Sequence, residues 1–181
     1  MKSRLAKESS AGYNIAKTLA QAALFWCLLL FLIPTHILRL ETHLGFSPPY
    51  NSTLKCVGVG VFCLFGALGV ASGTIIAVYG KGTPLPIDCS RHLVVVGPFT
   101  FVRNPMAVAG IMQGVAVGLY LSSPLTVLYS LSGAFFWNQF MRPWEEQDLE
   151  ERFGEEFRQY RKAVRCWIPN LHRYRGKNSD Q

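Results

Sequence analysis

Four runs with almost no charge dominate this chain. Residues 18–38 carry only His36, residues 54–79 carry only Lys55, and residues 105–121 and 124–141 carry no charge at all. A helix crossing the hydrocarbon core of a bilayer needs about 20 apolar residues, with about 17 as the lower end. The first two runs exceed that length. The second two meet its lower bound and read as a tight helical hairpin turned by Ser122, Ser123 and Pro124, with one re-entrant helix as the alternative. The expected fold is therefore all-α: a polytopic membrane protein of about four transmembrane helices in a single domain spanning residues 1–181. Half the residues are hydrophobic and only 16% are charged, too few for an ordinary soluble surface.

The flanks of these runs suggest an orientation. Lys2, Arg4, Lys7 and Lys17 precede the first run, and Ile37-Leu38-Arg39-Leu40 after it offers no small-residue cleavage site, so a retained anchor is expected. Lys81, Arg91 and Arg103 follow the second run, and a strongly basic tail follows the fourth. The other side has only Arg39 and Lys55. Basic residues in short flanks face the cytoplasm, which puts both termini and the 80–104 loop there. The net charge of +7 then reads as topology plus contact with anionic headgroups, and no nucleic-acid partner is expected. Cys27, Cys56, Cys63, Cys89 and Cys166 have neither metal-like nor disulfide-like spacing, and His36, His43, His92 and His172 stand singly, so no metal is expected. Gly110, Gly114 and Gly118, like Gly69 and Gly73, recur every four residues. Small residues at that spacing let helices pack closely in lipid, which favours a compact bundle over a wide pore.

Chemistry concentrates at the mouth of the third run, in Gly97-Pro98-Phe99-Thr100-Phe101-Val102-Arg103-Asn104-Pro105-Met106. Gly97-Pro98 marks a turn after the apolar 93–96 stretch. Asn104 is a good N-cap and Pro105 suits a first helical turn, so a helix is expected to start there. Its free N–H groups, with the Arg103 fork beside them, would seat a carboxylate or phosphate. The plainer reading is a capped helix with a snorkelling arginine. After the fourth run, Arg142-Pro143-Trp144-Glu145-Glu146 is expected to close that helix and a new one to follow. Leu149, Phe153, Phe157, Tyr160 and Val164 form one apolar stripe, marking an interfacial or core-docked amphipathic helix. Glu150, Glu151, Glu155 and Glu156 are its solvated face. Glu145 and Glu146 precede the stripe beside Trp144, where a carboxylate can accept from ribose hydroxyls or an ammonium; a favourable charge at a helix N-terminus is the alternative.

The 97–106 stretch resembles the Gly-Pro-Tyr-Arg-Tyr-Val-Arg-(His/Asn)-Pro-Met signature of the isoprenylcysteine carboxyl methyltransferase and phospholipid methyltransferase superfamily. Glu145-Glu146, Leu149, Phe153-Gly154, Phe157, Tyr160, Val164 and Trp167-Ile168-Pro169 are similar to its C-terminal signature, and Gly80-Lys81-Gly82-Thr83-Pro84 to a loop of its bacterial members. The resemblance covers residues 80–169; the first two helices match only in being hydrophobic. It implies an integral membrane methyltransferase using S-adenosyl-L-methionine, with a cytoplasm-facing cofactor pocket and an acceptor entering from the bilayer. Carried over, cofactor binding falls to Gly97, Pro98, Phe99, Arg103, Asn104, Pro105, Met106, Trp144, Glu145 and Glu146, and the catalytic positions to Arg103 and Glu145. Phe99, Trp144 or Trp167 would supply an adenine slot. Residues 1–17 and 174–181 are expected as flexible tails.

Thr100 stands where the family commonly has Arg, Ala107 where many members have Tyr, and Asn104 where the eukaryotic prenylcysteine enzymes have His. These departures bear on the acceptor more than on the methyl donor. A lipid-like acceptor of the prenylated thiol or carboxylate type is the first expectation. A phospholipid headgroup amine, or a degenerate relative without activity, are the alternatives. Gln113, Asn138 and Gln139 would meet the acceptor or bond between helices.

Overall fold

The computed structural model describes residues 6–7, 9–46, 51–85 and 88–174. Residues 11–43 form one helical rod made of α1 (Ala11–Phe25), a π-helical segment (Trp26–Leu32) and α2 (Ile33–His43). Helix α3 (Ser52–Tyr79) follows, then a loop, a 3-10 turn at Gly97–Thr100 and α4 (Pro105–Leu121). A second rod joins α5 (Pro124–Phe136), a π-helical segment (Trp137–Met141) and α6 (Arg142–Ala163). Among the described residues there is no strand, only a single parallel bridge between Thr83 and Cys89.

Both π-helical segments end two residues before a proline, Pro34 in one rod and Pro143 in the other. In an α-helix a proline ring strikes the carbonyl four residues back and leaves one hydrogen bond unmade. Here the preceding turn widens: Ile33 N donates to Leu28 O and Arg142 N to Trp137 O, each five residues back. The rods therefore run on past their prolines, and Arg142-Pro143 does not close a helix as the sequence suggests.

Two helices rather than four are by themselves long and apolar enough to cross a membrane: the 33-residue rod Ala11–His43 and the 28-residue Ser52–Tyr79. Helix α4 has 17 residues, a length of about 26 Å at 1.5 Å per residue against a hydrocarbon core of about 30 Å. The apolar part of the second rod is diluted by Asn138 and Gln139 and ends at Arg142. The two helices make the expected hairpin. Ser122 takes a left-handed conformation, and Ser123 Oγ accepts from Thr126 N at 3.1 Å to cap α5.

Side chains are sorted as lipid would sort them. Leu24, Phe31, Leu64, Leu128, Phe135 and Phe140 point outward, while the interior holds Ser72, Ala77, Ala109, Gln113, Ala116 and Thr126. Small residues inside allow close approach: a Cβ on Gly58 would lie 2.8 Å from Ala116 O and 2.9 Å from Tyr120 N, so α3 and α4 touch backbone to backbone. Gly114 and Gly118 press likewise on Ser130 and Val127 of α5, but Gly110 faces open space, so the four-residue pattern works at two of its three positions. Gly73 packs against Thr18 and Met106, tying α1, α3 and α4 together.

At the hairpin end, Glu41 of α2 is only 2% exposed, and its Oε1 accepts from Leu125 N at 2.9 Å. It caps α5 from another helix, at the positive end of the α5 dipole. Glu41→Ala would leave that part-buried N–H without its cap. Such a loss costs about 1–3 kcal/mol, so a lower unfolding midpoint in detergent is expected, with the site at the opposite end intact.

At that opposite end the charged flanks gather. Helix α1 starts at Ala11, inside the segment expected as a flexible tail, and Lys17 pairs with Asp88 at 2.7 Å. Ala6 N donates to Cys89 O, and Arg152 Nη1 reaches Ser90 O at 2.7 Å. Residues 1–5, 8 and 175–181 of the expected tails lie outside the described residues.

Candidate active site

The site grows from the 97–106 stretch. Gly97 has φ +58, a left-handed conformation natural to glycine, and Ile75 Cδ1 lies 2.6 Å from where a Cβ would sit. This turns the chain into a short 3-10 helix, in which Pro98 O accepts from Phe101 N and Val102 N. Thr100, buried, donates to Gly97 O at 2.7 Å, which closes the turn. The stretch then delivers Arg103 and Asn104 to the start of α4. As expected, Asn104 is the N-cap, its Oδ1 accepting from Ala107 N at 3.1 Å, with Pro105 in the first turn.

Opposite lies α6. Its apolar stripe docks on the protein: Phe157, Tyr160 and Val164 form a buried cluster with Leu149, Phe153, Leu93, Val95 and Tyr174 around it. The helix is not straight. Gly154 has φ +53 and breaks it in two, letting Arg161 reach back to Glu150 at 2.9 Å. Tyr160 donates to Phe99 O at 2.6 Å, and burial pushes its phenol well above the ordinary range. The tail beyond α6 is tied to the same stretch: Arg103 N and Asn104 N donate to Arg165 O and Cys166 O, and Asn170 N and Tyr174 N to Phe101 O and Thr100 O.

These anchors bring the two motifs into contact. Arg103 Nη1 meets Glu146 Oε1 at 2.6 Å, and Arg103 Nε donates to Val164 O at 2.8 Å. Arg142 Nε reaches the same Glu146 oxygen at 2.9 Å, while its Nη1 donates to Asn138 Oδ1, which also accepts from Trp167 Nε1. Asn104 Nδ2 donates to Glu145 Oε2 at 3.1 Å. The two glutamates are thus unequal. Glu146 is shared by two guanidinium groups, and Glu145 has one neutral partner among the described residues. Burial first, and the neighbouring Glu146 carboxylate second, push Glu145 up to about 7.

Sequence reasoning left either glutamate open as a ligand acceptor; the geometry separates them. It also treats Arg103 as a free anion receptor, whereas Arg103 is a clamp whose Nη2 alone has no partner among the described residues. Trp167 joins the cluster through Asn138, and Trp144 lies half-buried on the first turn of α6. Gly97, Pro98 and Phe99 make their contacts with Ile75, the turn itself and Tyr160 rather than with the glutamates. Met106 points toward Gly73 in the bundle. Sequence reasoning missed Arg142 as a partner of Glu146, although a spacing of four on one helix would have revealed it. It also missed Tyr160 as the strut under Phe99.

No curated protein matches the chain. A family model of phospholipid methyltransferases matches residues 55–156, more than half of the chain. That stretch contains both halves of the Arg103–Glu146 and Asn104–Glu145 contacts. It also takes in nearly all of α3, which the motifs alone did not reach. A shared core from α3 to α6, with the paired motifs in direct contact inside it, shows that the chain belongs to the phospholipid methyltransferase family, within the superfamily of isoprenylcysteine and phospholipid membrane methyltransferases.

Proposed function

We propose that the protein is an integral membrane methyltransferase that takes its methyl group from S-adenosyl-L-methionine and passes it to a lipid-like acceptor. The observation that carries this reading is the inequality of the two glutamates. Glu146 is neutralised by Arg103 and Arg142 and holds the two motifs together. Glu145 keeps an oxygen without a partner among the described residues, and its pKa of about 7 leaves it ready to ionise beside a cation. A sulfonium cofactor with an ammonium and ribose hydroxyls suits such a carboxylate, and its own carboxylate suits Arg103 Nη2 and the N-terminus of α4. When bound, S-adenosylmethionine supplies an electrophilic methyl group. Asn104 and Glu145 would hold and orient it, Arg103 would fix the pocket wall, and Trp144 or Trp167 would offer an apolar face to the adenine. In-line transfer of this kind depends on alignment and on exclusion of water more than on a dedicated acid–base pair.

The clustering of Lys7, Lys17, the 80–104 loop and the basic tail at the site end argues for a cytoplasm-facing pocket. The outward apolar faces of the helices leave the bilayer as the route for a hydrophobic acceptor. A prenylated thiol or carboxylate fits that route. A phospholipid headgroup amine is the second reading, favoured by the family match and by a glutamate that is half ionised near neutrality and able to take a proton from an ammonium. The test is transfer of radiolabelled methyl from S-adenosylmethionine to a total lipid extract by the purified protein. Label is expected in the lipid phase, and the labelled class identifies the acceptor. Label confined to water-soluble compounds, or no label, would overturn a lipid-like acceptor.

A further inference from the structure

A cavity of about 710 Å³ is lined by Ser9, Asn14, Lys81, Arg91 and His92 over the apolar floor of Ala77. It lies at the same end of the molecule as Glu145, one helical turn outward along α1 and α3 from the layer where Thr18 and Met106 meet Gly73. None of its lining residues belongs to the Arg103–Glu145 site. Its size falls in the range of small-molecule pockets, and its chemistry is one-sided.

Three features give it that sign. Lys81 and Arg91 bring two cationic side chains to its wall, and no acidic residue among the described ones lines it. Asp88, in the same loop, is already paired with Lys17. The N-terminus of the 15-residue α1 opens beside Ser9: Ser10 Oγ accepts from Tyr13 N and Ser10 O from Asn14 N, so the N–H groups of Ala11 and Gly12 stand outside the helical ladder. Most telling is Asn14. It is 2% exposed, its Oδ1 accepts from Ser9 Oγ at 2.7 Å, and its Nδ2 donates to no described residue while the side chain lines the cavity. In a residue so little exposed, what accessibility the amide has is at the cavity wall, where it can meet an acceptor that the described protein does not supply.

We propose that this cavity binds a phosphate group, held by Lys81, Arg91, the Asn14 amide and the start of α1. A phosphate offers enough acceptor oxygens to use all four, which a single carbonyl cannot. The group can belong to a phospholipid headgroup or to free phosphate, and the two sources are separable. Because the lining residues are distinct from Arg103, Asn104 and Glu145, the proposal stands apart from the methyl-donor reading.

The test uses the full chain purified in a phosphorus-free maltoside detergent. Calorimetric titrations are made with inorganic phosphate and, separately, with a short-chain phosphatidylglycerol. Saturable binding of at least one is expected, weakened about tenfold by Lys81→Asn and about tenfold by Arg91→Gln. Lys81 is exposed and has φ +52, a conformation that asparagine accepts readily, so this variant is expected to fold whatever Arg91→Gln does. Binding of the phospholipid alone assigns the site to a headgroup, and binding of phosphate alone to the free ion; either supports a phosphate site. No binding of either probe, or binding that Lys81→Asn leaves unchanged, overturns it. S-adenosylhomocysteine binding, measured on the same samples, reports separately on the Glu145 site.

Discussion

Arg103→Ala is expected to cost the protein both stability and cofactor binding, and Arg103→Lys to restore only part of either. The guanidinium ties the start of α4 to both ends of the docked helix: it bonds Glu146 on α6 and Val164 O where that helix ends. Its side chain is 10% exposed, so water cannot replace what is lost. Removing one partner of a buried pair typically costs about 3–5 kcal/mol. Arg142 remains on Glu146 here, so about 2–4 kcal/mol is the expected loss by the same reasoning. With the clamp gone, the wall beside Glu145 shifts, and S-adenosylhomocysteine binding should fall by about a hundredfold, the effect of roughly 3 kcal/mol. Lysine keeps the charge but cannot present a fork to two acceptors at once. Thermal unfolding in detergent, together with a binding isotherm, reads both effects. An Arg103→Ala protein that unfolds at the wild-type temperature would show that the clamp is decorative.

Glu145→Gln should separate the two effects, sparing or even raising stability while weakening ligand binding by about tenfold or more. The sign follows from the direction of the pKa shift. Folding raises Glu145 from its ordinary 4.5 to about 7, so the folded state favours the protonated form. Its contribution to stability is fully present below about pH 4.5 and is lost as pH rises through about 7. Glutamine mimics the protonated form at every pH. At pH 8 the variant is therefore expected to be more stable than wild type by about 1–3 kcal/mol, with the difference shrinking as pH falls and gone below about pH 4.5. Ligand affinity should run the other way. In wild type it rises between pH 6 and 8 as the carboxylate ionises, and in Glu145→Gln it is weak and flat. Glu146→Gln is the contrasting variant, expected to lose stability because two arginines are left facing a neutral amide.

Much of this was legible from residue types at fixed spacings. Asn104-Pro105 announces a capped helix start, Ser122-Ser123-Pro124 a hairpin turn, and the stripe from Leu149 to Val164 an amphipathic helix, because each depends on local stereochemistry alone; that the stripe docks on the protein rather than on the membrane interface is a tertiary outcome. The continuity of α5 with α6 was hidden, since Pro143 signals a break unless a π-turn precedes it, and no residue pattern announces that turn. Gly154 stood in plain view, but a lone glycine does not reveal a positive φ. The count of spans fell from four to two because α4 stops at 17 residues and because the apolar part of the second rod gives way to Asn138 and Arg142, which bond to each other at the site end. Within the site, adjacency of Glu145 and Glu146 could not say which of them faces the arginines. That choice is made by the approach of α4 to α6, which the docked stripe and the Tyr160–Phe99 bond fix across some sixty residues of sequence.

The division of labour between the two glutamates is the center of the functional reading, and equilibrium binding of S-adenosylhomocysteine at pH 8 tests it most directly. Wild type is expected to bind with a single site, Glu145→Gln to lose at least tenfold in affinity while keeping its fold, and Glu146→Gln to lose stability first. No binding by folded wild type, or equal binding by wild type and Glu145→Gln, would contradict a cofactor pocket built on Glu145.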